Sequence, residues 1–164
     1  MSEDPKNQFI NLSTLRRDDQ RQVMADIRDA GHCPFCTENL EKYHKNPILK
    51  EGKFWLITDN QWPYENIVHQ VLAIYKTHIN HPRDLDDGAS QELFDLFNEV
   101  CNERGIEGGG IAMRFGESTD GNYGSSVLHL HAHLIEPDLK AMGETEAWRF
   151  KFGQPKNYKR SEKK

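Results

Sequence analysis

The segment His129-Leu130-His131-Ala132-His133-Leu134-Ile135 contains three histidines that alternate with apolar residues. A period of two is typical of a β-strand. A strand points all three imidazoles to one face and the apolar side chains to the other, whereas a helix would spread the imidazoles around its axis. Three imidazoles on one face can bind a metal, attack phosphorus or hold an anion. The alternative is a half-exposed strand that carries histidines by chance, and the strict alternation beside a glycine-serine loop argues against it.

The composition indicates one domain, because 164 residues with 36% hydrophobic residues are enough to bury a core. The formal net charge of −5 argues against a general nucleic-acid-binding protein, so no stable nucleic-acid partner is expected. No apolar run is long enough to span a membrane. The first residues, Met1 to Pro5, lack the basic and apolar pattern of a signal peptide. We therefore expect a cytoplasmic protein without a membrane partner.

Strand-like segments lie on both sides of the clearest helix in the chain. Three of them have strand patterns besides the histidine strand: residues 53–58, 71–75 and 110–115. The helix is predicted to begin at Ser90, to end at Gly105 and to bury one apolar face: Leu93, Phe94, Leu96, Phe97, Val100 and Cys101. Residues 110–115 and the histidine strand should pair antiparallel across the turn between them. This order predicts an α+β fold with an antiparallel sheet and helices on one side.

Both ends of the chain carry weaker signals. A charged helix is predicted from a cap at Ser13 or Thr14 to Gly31. Residues 148–152 alternate like one more strand or an arm that faces a partner, and residues 156–164 are typical of a solvated basic tail. We therefore divide the chain into an N-terminal helical extension, a central domain and a C-terminal arm with its tail: residues 1–32, 33–137 and 138–164.

The segment Cys33-Pro34-Phe35-Cys36 has the C-x₂-C spacing with which two thiolates hold one zinc ion. The remaining ligands would be histidines, and the candidates are His32, His44, His78, His81 and one histidine of the strand. A redox pair is the competing interpretation, but the charged helix before the turn does not provide its usual strand-then-helix context. Four protein ligands leave no open position, so the zinc would be structural.

A glycine- and serine-containing loop, residues 122–126, leads directly into the histidine strand. Gly124 permits a close approach to the backbone, and the hydroxyls of Ser125 and Ser126 can hold phosphate oxygens. Alone, such a loop is an ordinary turn, but before three histidines it is a candidate anion-binding loop. A neutral imidazole can attack phosphorus, and His131, with a histidine two residues away on either side, is the natural nucleophile.

The segment His129–Ile135 matches the His-φ-His-φ-His-φ-φ pattern of the histidine triad (HIT) superfamily, in which φ is apolar. Residues 124–129 are similar to the segment that precedes that triad, and residues 54–59 and 71–79 resemble two strands of the family. The chain resembles zinc-containing bacterial-type nucleotide hydrolases, which are related to diadenosine polyphosphate hydrolases and galactose-1-phosphate uridylyltransferases. The resemblance covers roughly residues 33–137. It implies a sheet of about five antiparallel strands with helices packed against it, commonly in a homodimer.

The resemblance also implies roles for individual residues. His131 would be the nucleophile that forms a nucleotidyl-histidine intermediate, assisted by His129, His133 and Ser126. The substrate would be bound by Asp59, Asn60, Gly124, Ser125, Ser126 and His133. Zinc would be held by Cys33, Cys36, His78 and His129, with His81 as the alternative to His78.

The function that the resemblance implies is hydrolysis at the α-phosphate of a dinucleoside polyphosphate or a related nucleoside phosphate adduct. A nucleotidyltransferase or phosphorylase would use the same intermediate, and a non-catalytic nucleotide-binding domain would keep only the fold. The intact His131 argues against the last alternative. Two departures concern the site. Arg114, which could bind phosphate or point to solvent, stands where the family often has an asparagine, and a family histidine falls at Gln70 or His69.

Overall fold

The computed structural model describes residues 9–12, 15–116, 123, 125–144 and 146–153. Its strands form one antiparallel sheet in the order β1-β2-β3-β5-β4. The strands are β1 (Ile48–Glu51), β2 (Trp55–Asp59), β3 (Ile67–Tyr75), β4 (Gly110–Arg114) and β5 (His131–Pro137). The helices are α1 (Asp18–Ala30), α2 (Thr37–Tyr43) and α3 (Ala89–Arg104), with a 3₁₀ turn at Pro82–Asp84. The predicted α+β fold with five antiparallel strands is confirmed.

Helices cover both faces of this sheet. On one face, α3 packs against a core formed by alternate strand residues: Trp55, Ile57, Val71, Ala73, Tyr75, Ala132 and Leu134. On the other face, α2 places Leu40 against the intervening residues: Leu56, Leu72 and Ile74. The prediction of helices on one side only is wrong, because the face that carries the histidines also carries apolar side chains that need cover.

The first described residues are tied to the loop that precedes β5. The backbone N–H of Asn11 donates to the Ser126 carbonyl at 2.9 Å, and the N–H of Leu128 donates to the Phe9 carbonyl at 2.9 Å. Ile10 is buried and packs beside α1 in a separate apolar cluster. The N-terminal extension therefore holds the backbone directly before the histidine strand.

Several boundaries differ from the sequence prediction. Helix α3 begins at Ala89 rather than Ser90 and ends at Gly105 as predicted, with a φ of 65° at this glycine. Phe94, predicted to be buried, is 50% exposed, because other residues of α3 already cover the sheet: Leu93, Leu96, Phe97 and Val100. The edge strand β1 and the short helix α2 carried no clear signal. Helix α1 begins at Asp18 with Arg17 at its N-cap position, so the predicted start at Ser13 or Thr14 is wrong. Ser13, Thr14 and residues 156–164 themselves lie outside the described residues.

Residues 148–152 do not form the further strand that their alternation predicted. Their aromatic side chains pack instead on Tyr64 of the same chain, where the ring centroids of Trp148 and Phe150 lie 5.5 and 5.9 Å from that of Tyr64. The indole N–H of Trp148 donates to the Glu65 carbonyl at 3.2 Å. Trp148 and Phe150 therefore pack on the loop between β2 and β3 of the same chain.

Helix α3 is fastened to the turn between β1 and β2 by Glu92. Its carboxylate accepts hydrogen bonds from the backbone N–H groups of Lys53, Phe54 and Trp55 at 2.7, 2.8 and 3.0 Å. One side chain therefore satisfies three neighbouring donors at the point where the chain enters the central part of the sheet.

Replacing Glu92 with alanine should lower the free energy of unfolding by about 2–3 kcal/mol, because three backbone N–H groups lose their charged acceptor. Glu99→Ala is the matched control on the same helix, since the exposed Glu99 pairs with Lys50 and should cost less than about 1 kcal/mol. Urea unfolding measures both. Equal losses in the two variants would contradict the role given to Glu92.

Candidate active site

The three histidines of the alternating segment lie in a row on the face covered by α2. His131 and His133 belong to β5, opposite Ile74 and Leu72 of β3, and His129 lies two residues before the first residue of the strand. All three are buried, with exposed fractions of 2–7%. The ring centroids of His131 and His133 are 5.1 Å apart. The sheet thus brings the three imidazoles together, as the alternation predicts.

His129 stands at one end of this row, in a cluster with Cys33, Cys36 and His78. Its Nδ1 lies 3.4 Å from the Cys33 sulfur, 3.8 Å from the Cys36 sulfur and 3.1 Å from Nδ1 of His78. The Cys36 sulfur lies 3.4 Å from Nδ1 of His78. All four possible ligand atoms lie within 4.8 Å of one another.

These distances suit one tetrahedral zinc ion. Around such an ion, two nitrogens lie about 3.3 Å apart, a nitrogen and a sulfur about 3.6 Å, and two sulfurs about 3.8 Å. Burial raises the pKa of the Cys33 thiol to about 12, so thiolates form here only against a cation. The Nε2 atom of His129 contacts the carbonyl oxygen of Tyr75, which leaves Nδ1 of His129 as the ligand atom.

The other candidate ligands lie elsewhere. His81 accepts a hydrogen bond from the Arg83 backbone and packs on Phe115, with ring centroids 4.7 Å apart. His32 contacts the hydroxyl of Tyr43, and His44 contacts the hydroxyl of Thr58. Between His78 and His81, the geometry therefore favours His78 as a zinc ligand.

His131, at the centre of the row, has its Nδ1 atom 2.7 Å from the carbonyl oxygen of His129. A carbonyl can only accept, so Nδ1 carries the hydrogen and Nε2 has a free electron pair. Burial lowers the pKa of His131 to about 4, and the charge of Arg114 adds to the shift, while the hydrogen bond to His129 opposes it. The imidazole is therefore neutral near pH 7, the form required for attack on phosphorus.

His133, at the other end, has the opposite proton arrangement. Its Nδ1 lies 3.1 Å from Nε2 of Gln70, whose Oε1 accepts from the backbone N–H of Tyr64 at 2.8 Å. The Tyr64 donor fixes the orientation of the amide, so the Gln70 nitrogen must donate to Nδ1 of His133. Nε2 of His133 therefore carries a hydrogen. His69 instead pairs with Glu136 at 2.7 Å, so Gln70 is the residue that meets the histidine row.

A pocket of about 490 Å³ adjoins His131 and His133. Its walls include four aromatic side chains, Phe35, Trp62, Tyr64 and Phe150, and five basic ones, Arg16, Arg21, Arg114, Arg149 and Lys151. Such a site combines apolar contact for a planar group with positive charge for an anion. The arrangement can bind a nucleotide with its phosphate at the neutral imidazole.

Not every predicted binding residue reaches this pocket. Asn60 and Ser126 line it. Asp59 does not, because alternation along β2 points its carboxylate to the α3 side, where Arg104 binds both its oxygens at 2.6 and 2.9 Å. Ser125 does not line the pocket, and its hydroxyl donates to the Val127 carbonyl at 2.7 Å. Gly124 lies outside the described residues.

Sequence reasoning missed several residues of the pocket. Arg16 comes from the N-terminal extension and Phe150 from the C-terminal arm, two segments outside the family pattern. The aromatic residues of the arm were a signal, but they were assigned to a strand or to a partner. The ring centroids of Phe150 and His133 lie 5.6 Å apart, and the guanidinium carbon of Arg114 lies 3.8 Å from the ring centroid of Phe150.

Comparison with solved structures supports the fold. The chain resembles a histidine triad nucleotide-binding protein from Candida albicans, with TM-score 0.55, 18% identity, and coverage of 73% of this chain and 85% of that one. It also resembles a histidine triad protein from Clostridium difficile, with TM-score 0.52, 17% identity, and coverage of 82% and 100%. A zinc-bound histidine triad family protein from Mycobacterium smegmatis is similar, with TM-score 0.51, 19% identity, and coverage of 71% and 81%.

Comparison at the level of families adds a sequence match. No curated protein matches the chain. Residues 32–148 match the family described as "Scavenger mRNA decapping enzyme C-term binding". This match spans more than half of the chain and includes the cysteine pair, the histidine row and the loop before it. The chain therefore belongs to that family, and with it to the histidine triad superfamily.

Proposed function

We propose that this protein is a histidine triad hydrolase that cleaves dinucleoside polyphosphates, or related nucleoside phosphate adducts, at the α-phosphate. The observation that carries the proposal is the neutral His131, whose Nδ1 hydrogen is engaged by the His129 carbonyl at 2.7 Å. Its Nε2 electron pair is available in a pocket with basic walls. The description of the matched family supports this class, since the cap of an mRNA joins two nucleosides through phosphates.

The first step is the attack of His131 Nε2 on the α-phosphorus. A phosphorus–nitrogen bond forms as the bond from phosphorus to the bridging oxygen breaks, and the leaving oxygen takes the electron pair. The N–H at Nε2 of His133 donates a hydrogen bond to that oxygen and stabilises its charge, and the neutral ring keeps its proton. The His129 carbonyl stabilises the positive charge that develops on the ring of His131.

The second step returns the enzyme to its starting state. Water attacks the same phosphorus, the bond from phosphorus to Nε2 of His131 breaks, and a nucleoside monophosphate is released. The attacking water keeps one hydrogen on the new phosphate oxygen and loses its other proton to solvent, and Nε2 of His131 regains its electron pair. A nucleotidyltransferase would replace this water with another acceptor such as phosphate. The homodimer and the cytoplasmic location stay predictions.

Zinc is proposed as a structural ion held by Cys33, Cys36, His78 and His129. It would tie the turn before α2 to the start of β5 and so fix the carbonyl that accepts from His131. The ion would hold the chain in place and contribute no open coordination position. A zinc-bound structural neighbour supports this assignment.

Metal analysis tests the zinc assignment. The purified chain should contain about one zinc per chain, and chelation should lower its thermal midpoint by several degrees, because the metal links segments far apart in sequence. Cys36→Ser should lose most of the zinc. Cys101→Ser is the matched control, since Cys101 lies against the α3 core and should leave the zinc content unchanged. Full zinc retention in Cys36→Ser would contradict the assignment.

Replacing His131 with alanine tests the nucleophile. With α-³²P-labelled diadenosine tetraphosphate or a labelled cap dinucleotide, the wild type should carry acid-labile label after a rapid quench, and His131→Ala should carry none. We expect turnover to fall by about 10⁴-fold or more. The control is His81→Ala, because His81 lies outside the pocket. Turnover that survives in His131→Ala would rule out the proposed mechanism.

Replacing Gln70 with glutamate tests the proton arrangement of His133. The carboxylate would accept from Nδ1 of His133 instead of donating to it, which removes the hydrogen from Nε2. We expect kcat to fall by about 10²-fold, and ¹⁵N NMR of the His133 ring to report the change of tautomer. Gln61→Glu adds the same charge to the pocket wall and should have a small effect on both readouts. An unchanged His133 spectrum in Gln70→Glu would refute the assignment.

A further inference from the structure

Two arginines from distant parts of the chain meet at one tyrosine of the pocket. The guanidinium carbon of Arg16 lies 3.7 Å from the ring centroid of Tyr64. Arg114, at the end of β4, places Nη1 3.3 Å from the Tyr64 hydroxyl. The fold therefore gathers two cations around one aromatic ring, at the wall of the pocket.

This group lies beyond His133, at the opposite end of the histidine row from the cysteines. The ring centroids of Tyr64 and His133 are 6.2 Å apart. Arg114 stands directly opposite His131 in the register of β4 and β5, so its side chain shares the histidine face. The charges of Arg114 and Arg16 both contribute to the lowered pKa of His133, after its burial and the charge of His131. The row thus runs from the cysteine cluster through the nucleophile to the arginines.

The guanidinium group of Arg114 has N–H donors that can bind a ligand. Its Nε and Nη2 atoms donate to the Lys151 carbonyl at 3.1 and 2.7 Å, and Nη1 meets the Tyr64 hydroxyl. These acceptors are neutral, and the ion pairs found within the described residues do not include Arg114. A guanidinium has five N–H donors, so two remain on the two terminal nitrogens, enough for a two-point contact with a phosphate.

Holding two guanidinium groups together is unfavourable in a partly buried pocket. Burial lowers the pKa of Arg16 and the charge of Arg114 adds to this, while Tyr64 and Glu65 oppose the shift. Arg16 donates to the Trp62 carbonyl at 3.0 Å, which keeps its charge at this wall. An anion that contacts both groups would offset their repulsion.

We propose that Arg16, Arg114 and Tyr64 form a subsite for the phosphates of the leaving group that lie beyond the scissile one. The inference rests on the proposed function and names its substrate class: adducts in which the leaving group is itself phosphorylated, rather than adducts with a single phosphate. The histidine row contacts the α-phosphate, which every such adduct contains. The two cations beyond His133 can contact only substrates that have further phosphates after the α-phosphate.

Two substrates with the same adenylyl group test the subsite. Diadenosine tetraphosphate has a phosphorylated leaving group, whereas adenosine 5′-phosphoramidate releases ammonia. We expect Arg114→Gln and Arg16→Gln each to lower kcat/KM for the tetraphosphate by about 10–100-fold, because each removes a charge-assisted contact. For the phosphoramidate the change should stay under about threefold. Arg83→Gln, outside the pocket, is the control and should affect neither substrate. Equal losses on the two substrates, or no loss on either, would overturn the subsite.

A binding measurement separates this inference from the proposed function. Inorganic tripolyphosphate, titrated calorimetrically into the wild type and into Arg114→Gln, should bind the variant about 10-fold or more weakly. If the wild type turned over neither nucleotide but still bound tripolyphosphate in an Arg114-dependent way, the hydrolase proposal would fail and the subsite would stand. If tripolyphosphate bound both proteins equally, the subsite would fail whatever the activity.

Discussion

His129 is held from three directions, and the site depends on this restraint. One ring nitrogen lies among two sulfurs and the His78 nitrogen, and the other contacts the Tyr75 carbonyl of the neighbouring strand. The backbone carbonyl of the same residue accepts from His131. One residue therefore links the cysteine cluster to the central imidazole and sets the position of its hydrogen. A shift of His129 would move both its ring and its carbonyl. It would therefore disturb the cysteine cluster and the hydrogen bond to His131 at the same time.

The two remaining imidazoles carry their hydrogens on different nitrogens, although they lie on the same strand two residues apart. Their partners explain the difference. His131 meets a carbonyl, which can only accept, while His133 meets the amide nitrogen of Gln70, which can only donate. One ring therefore presents an electron pair and its neighbour a hydrogen. The register of β3 and β5 sets this contrast. Leu72 stands opposite His133, and Gln70, two residues earlier on β3, points to the same face and reaches the His133 ring.

The sequence predicted what depends on local periodicity and failed where distant segments meet. Alternation placed the three histidines on one face, and the C-x₂-C spacing marked Cys33 and Cys36. Alternation along β2 places Asp59 on the same face as Trp55 and Ile57, but only the register of β2, β3 and β5 shows that this is not the face of the histidines. The choice between Gln70 and His69 needed the same register. Arg16 and Phe150 reach the pocket through the path of the two ends of the chain, which periodicity does not describe.

The pairing of residues 9–12 with the backbone before β5 has a consequence for the order of folding. Arg16 is synthesised early and Phe150 late, yet they line one pocket, and the histidine strand lies between them in sequence. Contacts of such long sequence separation form slowly and only when most of the chain is available. Strand β5 lies between β3 and β4 in the sheet and is synthesised only shortly before Phe150. The sheet and this wall of the pocket are therefore completed at nearly the same stage, so the chain acquires its fold and its binding site together.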